Sequence, residues 1–503
     1  MDLIFELPVE IGADSERSST HSVYNLLKRA ILEGHLPAGS KLPPTRLAGR
    51  HFRLSRNSMV SIYDRLTSEG LVTSRRGSGT FVARRTHPSA ATQDQRFARS
   101  VYASAIRPLW SSAGVEEALQ FWDDLPTNHR PNDAIELRTG LGDTSLFPYD
   151  EFRRCMARTL RAMERAAPST RSAHGNQGGS ELRRAISDHV RLMRTLVCDP
   201  DDIIVTSGAQ QAVDLLARVF VEPGQTVVAI EEPNYPPFLG IFRAAGAIIQ
   251  PVPVDRDGMM VDRIPKDAKL VLVCPSNQYP LGVTMSVERR RQLYQFAKER
   301  HALIVEDDYD GEFRTAGEPL KAIYSQEASE QVFYLGTFSK CMIPTIRLGY
   351  LIAPAWAREA LVLAKNCTDW NSSPIIQRAT ARFISEGYLS AHVARMRAVY
   401  RDRRAHVVRA LAANFGSTLR PVVSNYGLHL TASGDPNIDW DAIAWEAGEN
   451  GVSVHALTRY YMDEPLPGLL FGLGSESKER LVIAVERLAA IARNEGATLQ
   501  VRF

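Results

Sequence analysis

The feature that most constrains the fold is an alternation of short apolar runs and helical segments that begins near Ile135. Runs such as "TVVAIEE" and "AKLVLV" break into polar residues and are separated by stretches with helical spacing, as in "AQQAVDLLARVF". This alternation predicts an α/β fold with a mostly parallel central sheet and helices on both faces. Ligands bind where the strands of such a sheet end, so we expect a ligand site among those polar residues.

The chain is long enough for several domains, and its charge changes along its length. Residues 17–86 contain 13 basic and three acidic residues, a net charge of +10, whereas the first sixteen residues carry −5 and the rest −2. A small basic module joined to a nearly neutral body indicates a polyanionic partner for the module. We predict a basic domain at 17–85, a linker at 86–134 and an α/β domain at 135–503.

The basic domain reads as three helices followed by a hairpin. "HSVYNLLKRAILEG" has its apolar residues on one helical face, and "PPTRLAGRHFRLS" predicts a short helix with Leu47 and Phe52 pointing inward. Ser55 is placed to cap a third helix, and "LVTSRRGSGTFV" predicts two strands around a glycine-rich tip. The pattern therefore indicates a winged helix-turn-helix. The predicted buried stripe of the third helix is Met59, Ile62, Tyr63 and Leu66.

The geometry of this motif predicts the DNA contacts. Residues at the start of the recognition helix reach the major groove, where Arg56 and Asn57 can make bidentate contacts with guanine and adenine. Arg46 begins the preceding helix and is placed to contact a phosphate. Any one arginine could instead only solvate a small domain, but the set together favours DNA binding. The predicted DNA-binding residues are Arg46, Ser55, Arg56, Asn57, Arg75, Arg76 and Gly77.

The stretch between the two domains is rich in small, polar and proline residues, as in "RRTHPSAATQDQRFARS". It shows no sustained periodicity beyond one possible short helix near 115–121, so it predicts a linker. Trp110, Phe121 and Trp122 could dock on the large domain, and the sequence leaves this open.

One lysine of the large domain stands among small and apolar residues, in "GTFSKCMIPTIRLGY". Desolvated near other cations, the Lys340 amine would have a lowered pKa and act as a nucleophile toward an aldehyde. Asp307 and Tyr309, in "EDDYDGEF", point into one cleft. There the carboxylate suits a protonated pyridine nitrogen, and the phenol suits a ring oxygen. Thr337 and Arg347 are placed to bind a phosphate.

A second segment, "TSGAQQ", starts a helix after a strand and favours an anion at its free N–H groups. Aldehyde, pyridine nitrogen, ring oxygen and phosphate together describe pyridoxal 5′-phosphate, held through a Schiff base with Lys340. A surface lysine is the alternative for Lys340 taken alone, but the other residues in order disfavour it. The predicted cofactor-binding residues are Ser207, Gly208, Ala209, Gln210, Tyr235, Asn277, Asp307, Tyr309, Thr337, Lys340 and Arg347.

These segments resemble a known family over about residues 20–490. "LPPTRLAGRHFRLSRNSMVSIYDRLTSEGLVTSRRGSGTFV" resembles the DNA-binding domain of GntR-type regulators. "PSNQYPLG", "EDDYDGEF" and "GTFSK…RLGY" resemble the fold type I aminotransferases, specifically the MocR subfamily of GntR regulators. The resemblance implies an aminotransferase-like domain, a head-to-tail homodimer, and control of transcription by an amino compound that reacts with the cofactor. It also implies that Tyr235 lines the ring pocket and that Asn277 or Gln278 lies near the ring oxygen.

Two positions bear on whether the chain is also an enzyme. Tyr279 stands where enzymes of this fold usually have Asn before the proline, which puts full transaminase competence in doubt. A substrate carboxylate needs a fork-shaped cation, and Arg459 in "VHALTRYYMDEP" is the candidate, although an ordinary surface arginine is equally compatible. The alternative function is an active aminotransferase with an accessory DNA-binding domain. The basic module favours a regulator that binds operator DNA, with residual transaminase activity left open.

The five cysteines show no CxxC or metal-ligand spacing, so we expect no metal site and a reducing, cytoplasmic location. The start of the chain is acidic, where a signal peptide would be basic. No apolar stretch approaches the ~18–20 residues that span a bilayer. We therefore expect a protein without a membrane partner.

Overall fold

The computed structural model divides the chain into two compact units, Met1–Ala105 and Ile106–Phe503. The division lies inside the linker predicted at 86–134. The boundaries 86 and 134 themselves remain predictions. The residues that the structure describes are 20–75, 78–83, 114–115, 121, 133–165, 177–315, 321–325 and 330–500.

The described residues of the first unit form three helices and an antiparallel hairpin, which confirms the predicted winged helix-turn-helix. The third helix buries Met59, Ile62, Tyr63 and Leu66 as predicted. In the hairpin Val72 lies opposite Val82. The elements are α1 (Thr20–Leu32), α2 (Thr45–His51), α3 (Arg56–Ser68), β1 (Val72–Arg75) and β2 (Gly79–Val82).

Local signals account for most of this unit, with one exception. The Ser55 hydroxyl accepts a hydrogen bond from the Ser58 backbone N–H at 3.0 Å, which confirms the predicted N-cap of α3. The prediction for Leu47 was wrong, because its side chain is 47% exposed. Phe52 is buried as predicted, and Ala48 is buried in place of Leu47. Consecutive helical residues are turned by about 100°, so a face that buries Ala48 turns Leu47 toward solvent.

The second unit begins with a large α/β half. The central strands of its sheet are buried on both faces, as in the fully buried run Leu270–Val273, which explains their near-continuous apolar sequences. The elements, in chain order, are β3 (Ile135–Glu136), α4 (Tyr149–Arg165), α5 (Ser180–Arg194), β4 (Ile203–Thr206), α6 (Ala209–Phe220), β5 (Val227–Glu232), α7 (Pro236–Ala244), β6 (Ile248–Asp255), β7 (Gly258–Met259), β8 (Leu270–Val273), α8 (Val287–Arg300), β9 (Leu303–Asp308), β10 (Val332–Thr337) and β11 (Gly349–Ile352).

The large sheet has eight strands in the order β4-β11-β10-β9-β8-β5-β6-β7. Neighbours from β10 to β6 pair in parallel, whereas β11 runs antiparallel to both β10 and β4, and β7 antiparallel to β6. Gly349 of β11 is paired with both Thr206 and Thr337. The carboxyl ends of β4 and β10 therefore meet at one edge of a mostly parallel sheet, as the βα alternation predicted.

The C-terminal half forms a smaller antiparallel sheet with its own core around Trp440 and Phe471. Its sheet order is β12-β13-β16-β15, and β3 pairs in parallel with β14, so the first strand of the unit joins this half. Within the described ranges, no helix is long and apolar enough to span a bilayer. The elements are α9 (Arg358–Thr368), α10 (Pro374–Ser385), α11 (Tyr388–Phe415), β12 (Leu419–Pro421), β13 (His429–Gly434), α12 (Trp440–Glu449), β14 (Val452–Ser453), β15 (His455–Ala456), β16 (Gly468–Gly472) and α13 (Lys478–Gln500).

Candidate functional site

A cavity of about 810 Å³, counting its open mouth, lies where β4, β9 and β10 end. Residues that come from distant parts of the chain meet here because the strand ends share one sheet edge. The sequence-predicted residues that line the cavity are Gly208, Ala209, Gln210, Tyr235, Asp307, Tyr309, Thr337, Lys340 and Arg347.

Lys340 follows β10 by three residues and projects into this cavity. Its Nζ donates a hydrogen bond to the Gly140 carbonyl oxygen at 2.8 Å. A Cβ on Gly140 would lie 2.9 Å from that Nζ, so a glycine makes room for the amine. Burial lowers the pKa of Lys340 to about 8, against the opposing pull of Asp307 and Asp310. The amine therefore has a sizeable uncharged, nucleophilic fraction near neutral pH.

Asp307 lies at the end of β9 and presents a carboxylate to the cavity. Its Oδ2 accepts a long contact of 3.7 Å from the Cys274 thiol. Its buried Oδ1 has no hydrogen-bond partner among the described residues. Burial, reinforced by the neighbouring Asp308, raises the pKa of Asp307 to about 7. A buried acceptor without a partner is costly, and a protonated ring nitrogen in the cavity would supply the missing donor.

Tyr309 lines the cavity, and Asn277 lies behind it rather than among the lining residues. The Asn277 amide nitrogen donates to the Tyr309 phenolic oxygen and to Asp310 Oδ2, both at 2.8 Å. Since the phenolic oxygen already accepts this bond, its own proton is available for a ring oxygen. The neighbouring Gln278 amide donates to the Pro233 carbonyl oxygen at 2.7 Å and so is engaged within the protein.

The opposite end of the cavity suits an anion. The start of α6 faces it, with Gly208 in a positive-φ conformation (φ 92°) as the N-cap. Arg347 lies beside this turn, and its Nη2 donates to the Ser207 carbonyl oxygen at 3.0 Å. A Cβ on Gly349 would lie 2.9 Å from the Gly208 Cα. Only a glycine at the start of β11 therefore leaves room for the turn at Gly208. A helix N-terminus, a guanidinium group and the Thr337 hydroxyl together suit a phosphate.

The sequence reasoning did not assign several residues of the wall. Tyr279 was singled out only as a departure from the enzymes. Its hydroxyl lies 2.6 Å from Thr139 Oγ1 and donates to the Tyr460 hydroxyl at 3.3 Å. No local pattern could have found Gly140, because it meets Lys340 across 200 positions of the chain. The lining residues not predicted as cofactor-binding are Gly140, Phe238, Tyr279, Ser339, Leu428 and His429.

His429 contributes an imidazole ring to the cavity wall. No sequence signal pointed to it, because the segment "YGLHL" has the alternation of an ordinary half-buried strand. Burial lowers the pKa of His429 to about 3, so the ring is neutral at physiological pH. Its Nε2 lies 3.1 Å from the Pro280 carbonyl oxygen. A carbonyl can only accept, which assigns the ring proton to Nε2.

Two other groups of predicted residues lie elsewhere. Arg459 is not among the residues that line the cavity, and its Nη2 donates to the Phe121 carbonyl oxygen at 3.0 Å. In the first unit, the described DNA-binding candidates are all exposed. Arg76 and Gly77 lie outside the described residues, as do Trp110 and Trp122. The exposed candidates are Arg46, Ser55, Arg56, Asn57 and Arg75.

A basic winged helix and an α/β domain with an enclosed lysine define a class of two-domain, DNA-binding regulators. The model of bacterial regulatory proteins of the gntR family matches residues 19–82, and that of aminotransferase class I and II matches residues 143–461. The chain belongs to the MocR-type GntR regulators. It is 34% identical over 457 residues to the probable rhizopine catabolism regulatory protein MocR of Rhizobium meliloti, with 90% of each chain covered.

Other relatives agree with this assignment. The chain is 30% identical over 482 residues to the pyridoxine biosynthesis transcriptional regulator PdxR of Corynebacterium glutamicum, covering 95% of this chain and 97% of that one. Among solved structures, an archaeal alanine:glyoxylate aminotransferase matches with a TM-score of 0.71 at 25% identity, over 78% of this chain and 99% of that one. Kynurenine aminotransferase of Pyrococcus horikoshii, solved with PMP, matches with a TM-score of 0.68 at 27% identity, over 81% and 99%. The cofactor of the large domain is pyridoxal 5′-phosphate.

Proposed function

We propose that this DNA-binding regulator senses an amino compound by Schiff-base exchange at Lys340. The observation that carries the proposal is the Lys340 amine, whose pKa burial lowers to about 8 inside a cavity that also presents Asp307. A pKa near the working pH suits an amine that must be displaced and restored reversibly. In a regulator, such an exchange can report the concentration of an amine.

The roles that we propose for the cavity residues are supported by where each one lies. Bound pyridoxal phosphate supplies an aldehyde that condenses reversibly with primary amines. Asp307 would pair with the ring nitrogen, and Tyr309, oriented by Asn277, would donate to the ring oxygen. When another amine takes the place of Lys340, the released Nζ can hold a proton against the Gly140 carbonyl oxygen and the Asp307 carboxylate.

The remaining assignments are part of the same proposal. Tyr235 would flank the cofactor ring. The phosphate would bind at Ser207, Gly208, Ala209 and Gln210 together with Thr337 and Arg347. The functional parts of the chain would be 17–85, 86–134 and 135–503, as the sequence predicts.

On DNA, Arg56 and Asn57 at the start of α3 would read base edges, and Arg46 at the start of α2 would fix the register on the phosphates. Arg75, Arg76 and Gly77 would bring the wing to the backbone. A head-to-tail homodimer would present two such heads to two half-sites. Contact with operator DNA would place the protein in the cytoplasm.

The second candidate function is an active aminotransferase, favoured by the match with solved aminotransferases over most of the large domain. Two observations weigh against it as the main role. The Tyr279 hydroxyl is engaged with Thr139 Oγ1, and Arg459, the candidate partner for a substrate carboxylate, does not line the cavity. Residual turnover is compatible with a sensing role.

The test is a pair of titrations with operator DNA that is first selected from a random-sequence library. Amino compounds are screened by the absorbance of the bound cofactor, and each responding amine is titrated with and without DNA at fixed salt, because basic heads make affinity salt-dependent. Coupling must be reciprocal, so an amine that changes operator affinity must have its own affinity changed by the same factor.

A Lys340→Ala chain is the control and should lose both responses. Transcription that responds to an amine while the two titrations give the same amine affinity would overturn the proposal. Sustained turnover of an amino donor and a keto acid at ordinary enzyme rates would instead support the aminotransferase.

A further inference from the structure

Helix α7 forms part of the cavity wall and also meets the predicted linker. Tyr235, its N-cap, and Phe238, in its first turn, both line the cavity. Phe121 contacts the N-cap of this helix, Tyr235, and Gly114 contacts its last turn. The chain that leads to the DNA-binding domain is therefore docked at both ends of one wall element.

Phe121 is held in a pocket that we call the Phe121 pocket, made of Tyr235, His455, Arg459 and Tyr460. Its side chain is only 4% exposed. Its ring lies edge-on to Tyr235, His455 and Tyr460, with ring centroids 6.3, 5.6 and 5.3 Å apart. Arg459 holds the same residue twice, through a hydrogen bond to its carbonyl oxygen at 3.0 Å and a guanidinium 5.6 Å from its ring centroid.

The second docking point is at the other end of α7. Arg243 Nη1 donates to the Gly114 carbonyl oxygen at 3.3 Å. A Cβ on Gly114 would lie 2.7 Å from that nitrogen, so the Arg243 side chain packs closely against the glycine. Val115 follows and is 2% exposed. The contact is therefore close-packed rather than a loose surface approach.

The Phe121 pocket and the cavity have the side chain of Tyr235 in common. Tyr235 contacts Phe121 and also lines the cavity. Tyr460 contacts Phe121, and its hydroxyl accepts a hydrogen bond from Tyr279, another lining residue, at 3.3 Å. His455 Nδ1 lies 2.7 Å from the same Tyr460 hydroxyl. Because interiors are close-packed, a shift of Tyr235 acts on the Phe121 ring directly, and a shift of Tyr279 acts on it through Tyr460.

We infer that α7 and the Phe121 pocket form an interaction surface for the linker, through which a change in the cavity reaches the DNA-binding domain. This rests on the proposed sensing function and adds the route. Arg459 then binds the linker rather than the effector. The partner of the surface is a segment of the same chain, represented by Gly114, Val115 and Phe121.

The experiment compares the aldehyde and amine forms of the cofactor as occupants of the cavity in the full-length protein. Pyridoxal 5′-phosphate can engage Lys340, whereas pyridoxamine 5′-phosphate leaves that amine free. Hydrogen–deuterium exchange is followed by mass spectrometry in peptides that cover residues 106–125. We expect the exchange rates of these peptides to differ by about threefold or more between the two occupants, because the docking equilibrium of the segment differs.

Phe121→Ala and Arg243→Gln should remove this difference while leaving the affinity for pyridoxal phosphate within about threefold of the original. Phe121→Leu, which keeps an apolar side chain in the pocket, should retain most of it. Arg218→Gln is the matched control, because Arg218 is an exposed arginine of α6 that pairs with Asp214. It should behave as the unchanged protein does.

Equal exchange with both occupants in the unchanged protein would overturn the inference. A difference that persists in both Phe121→Ala and Arg243→Gln would overturn it as well. Failure of the sensing proposal would give a different result. The exchange rates of the linker peptides would differ between the two cofactor forms, but no amine would alter the affinity for operator DNA.

Discussion

The two domains carry their functional charges in opposite ways. In the DNA-binding domain Arg46, Arg56 and Arg75 are exposed, so water solvates them, and in the proposed role they would act on a polyanion through number and position. In the large domain Lys340 and Asp307 are enclosed, and burial shifts the pKa of each toward neutrality. Exposed charges serve long-range attraction, whereas enclosed ones serve chemistry at a defined atom.

The domains also differ in how far apart their working residues lie in sequence. Arg56, Asn57 and the N-cap Ser55 are consecutive, so one helix start presents them together. The cavity instead joins Gly140 to Lys340 and Ser207 to Arg347 across the sheet. A substitution in the first domain should therefore change affinity by degrees, whereas one in the cavity can remove a function outright.

The substitution Lys340→Ala tests the enclosed charges of the large domain most directly. We expect complete loss of borohydride-reducible attachment of pyridoxal phosphate, because no other amine is placed to replace Nζ at the Gly140 carbonyl among the described residues. Non-specific DNA binding should remain, since the winged helix has its own core. Peptide mapping after reduction checks the first point. The exposed Lys321→Ala is the control, and a labelled peptide elsewhere in Lys340→Ala would refute the assignment.

The second prediction concerns pH. An amine with a lowered pKa loses its proton earlier, so attachment of pyridoxal phosphate to the cofactor-depleted protein should speed up as pH rises and level off above about 8. At pH 7 the uncharged fraction should exceed that of an ordinary lysine by about 300-fold. Stopped-flow absorbance across pH 6–10 measures it. A rate that keeps climbing with the same slope to pH 10 would contradict the effect of burial.

The third prediction separates the two kinds of DNA contact. Arg56→Ala should weaken operator binding by about 1–3 kcal/mol and relax base preference, whereas Arg46→Ala should weaken all sequences alike and lower the salt slope by about 1. Binding-site selection and salt titrations measure both effects. Arg29→Ala in α1, an exposed arginine beside Glu33, is the control. Equal behaviour of Arg56→Ala and Arg46→Ala would refute the division.

The smallest expected effect is at the cap of α3. Ser55→Ala removes the hydrogen bond to the Ser58 N–H and should cost about 1 kcal/mol in the local stability of the helix. Hydrogen exchange of α3 amides in the full-length protein measures it. Ser68→Ala, at the other end of the helix, is the control, because its hydroxyl only donates to the Arg65 carbonyl oxygen. An unchanged exchange rate at Ser58 would show that the cap adds nothing.

How much could be predicted depended on the range of the interactions. The winged helix, the parallel sheet and the cofactor were predicted from periodicity, charge and short motifs, and all three are confirmed by the fold and the family. Leu47 was misplaced because a seven-residue helix offers too few turns to define its buried face. Arg459 was read as a candidate for the effector because its sequence neighbourhood does not show that Phe121 lies against it.

Helical and strand periodicity and the charge of a residue are local properties, so the sequence alone was enough to predict the main elements and to propose which side chains form the site. Only the tertiary structure decided that Gly140 accepts from Lys340, that Asn277 lies behind Tyr309, and that one wall helix meets both the cavity and the linker. These contacts join residues that are far apart in the chain. Sheet order and close packing fix them, and no local pattern encodes that geometry.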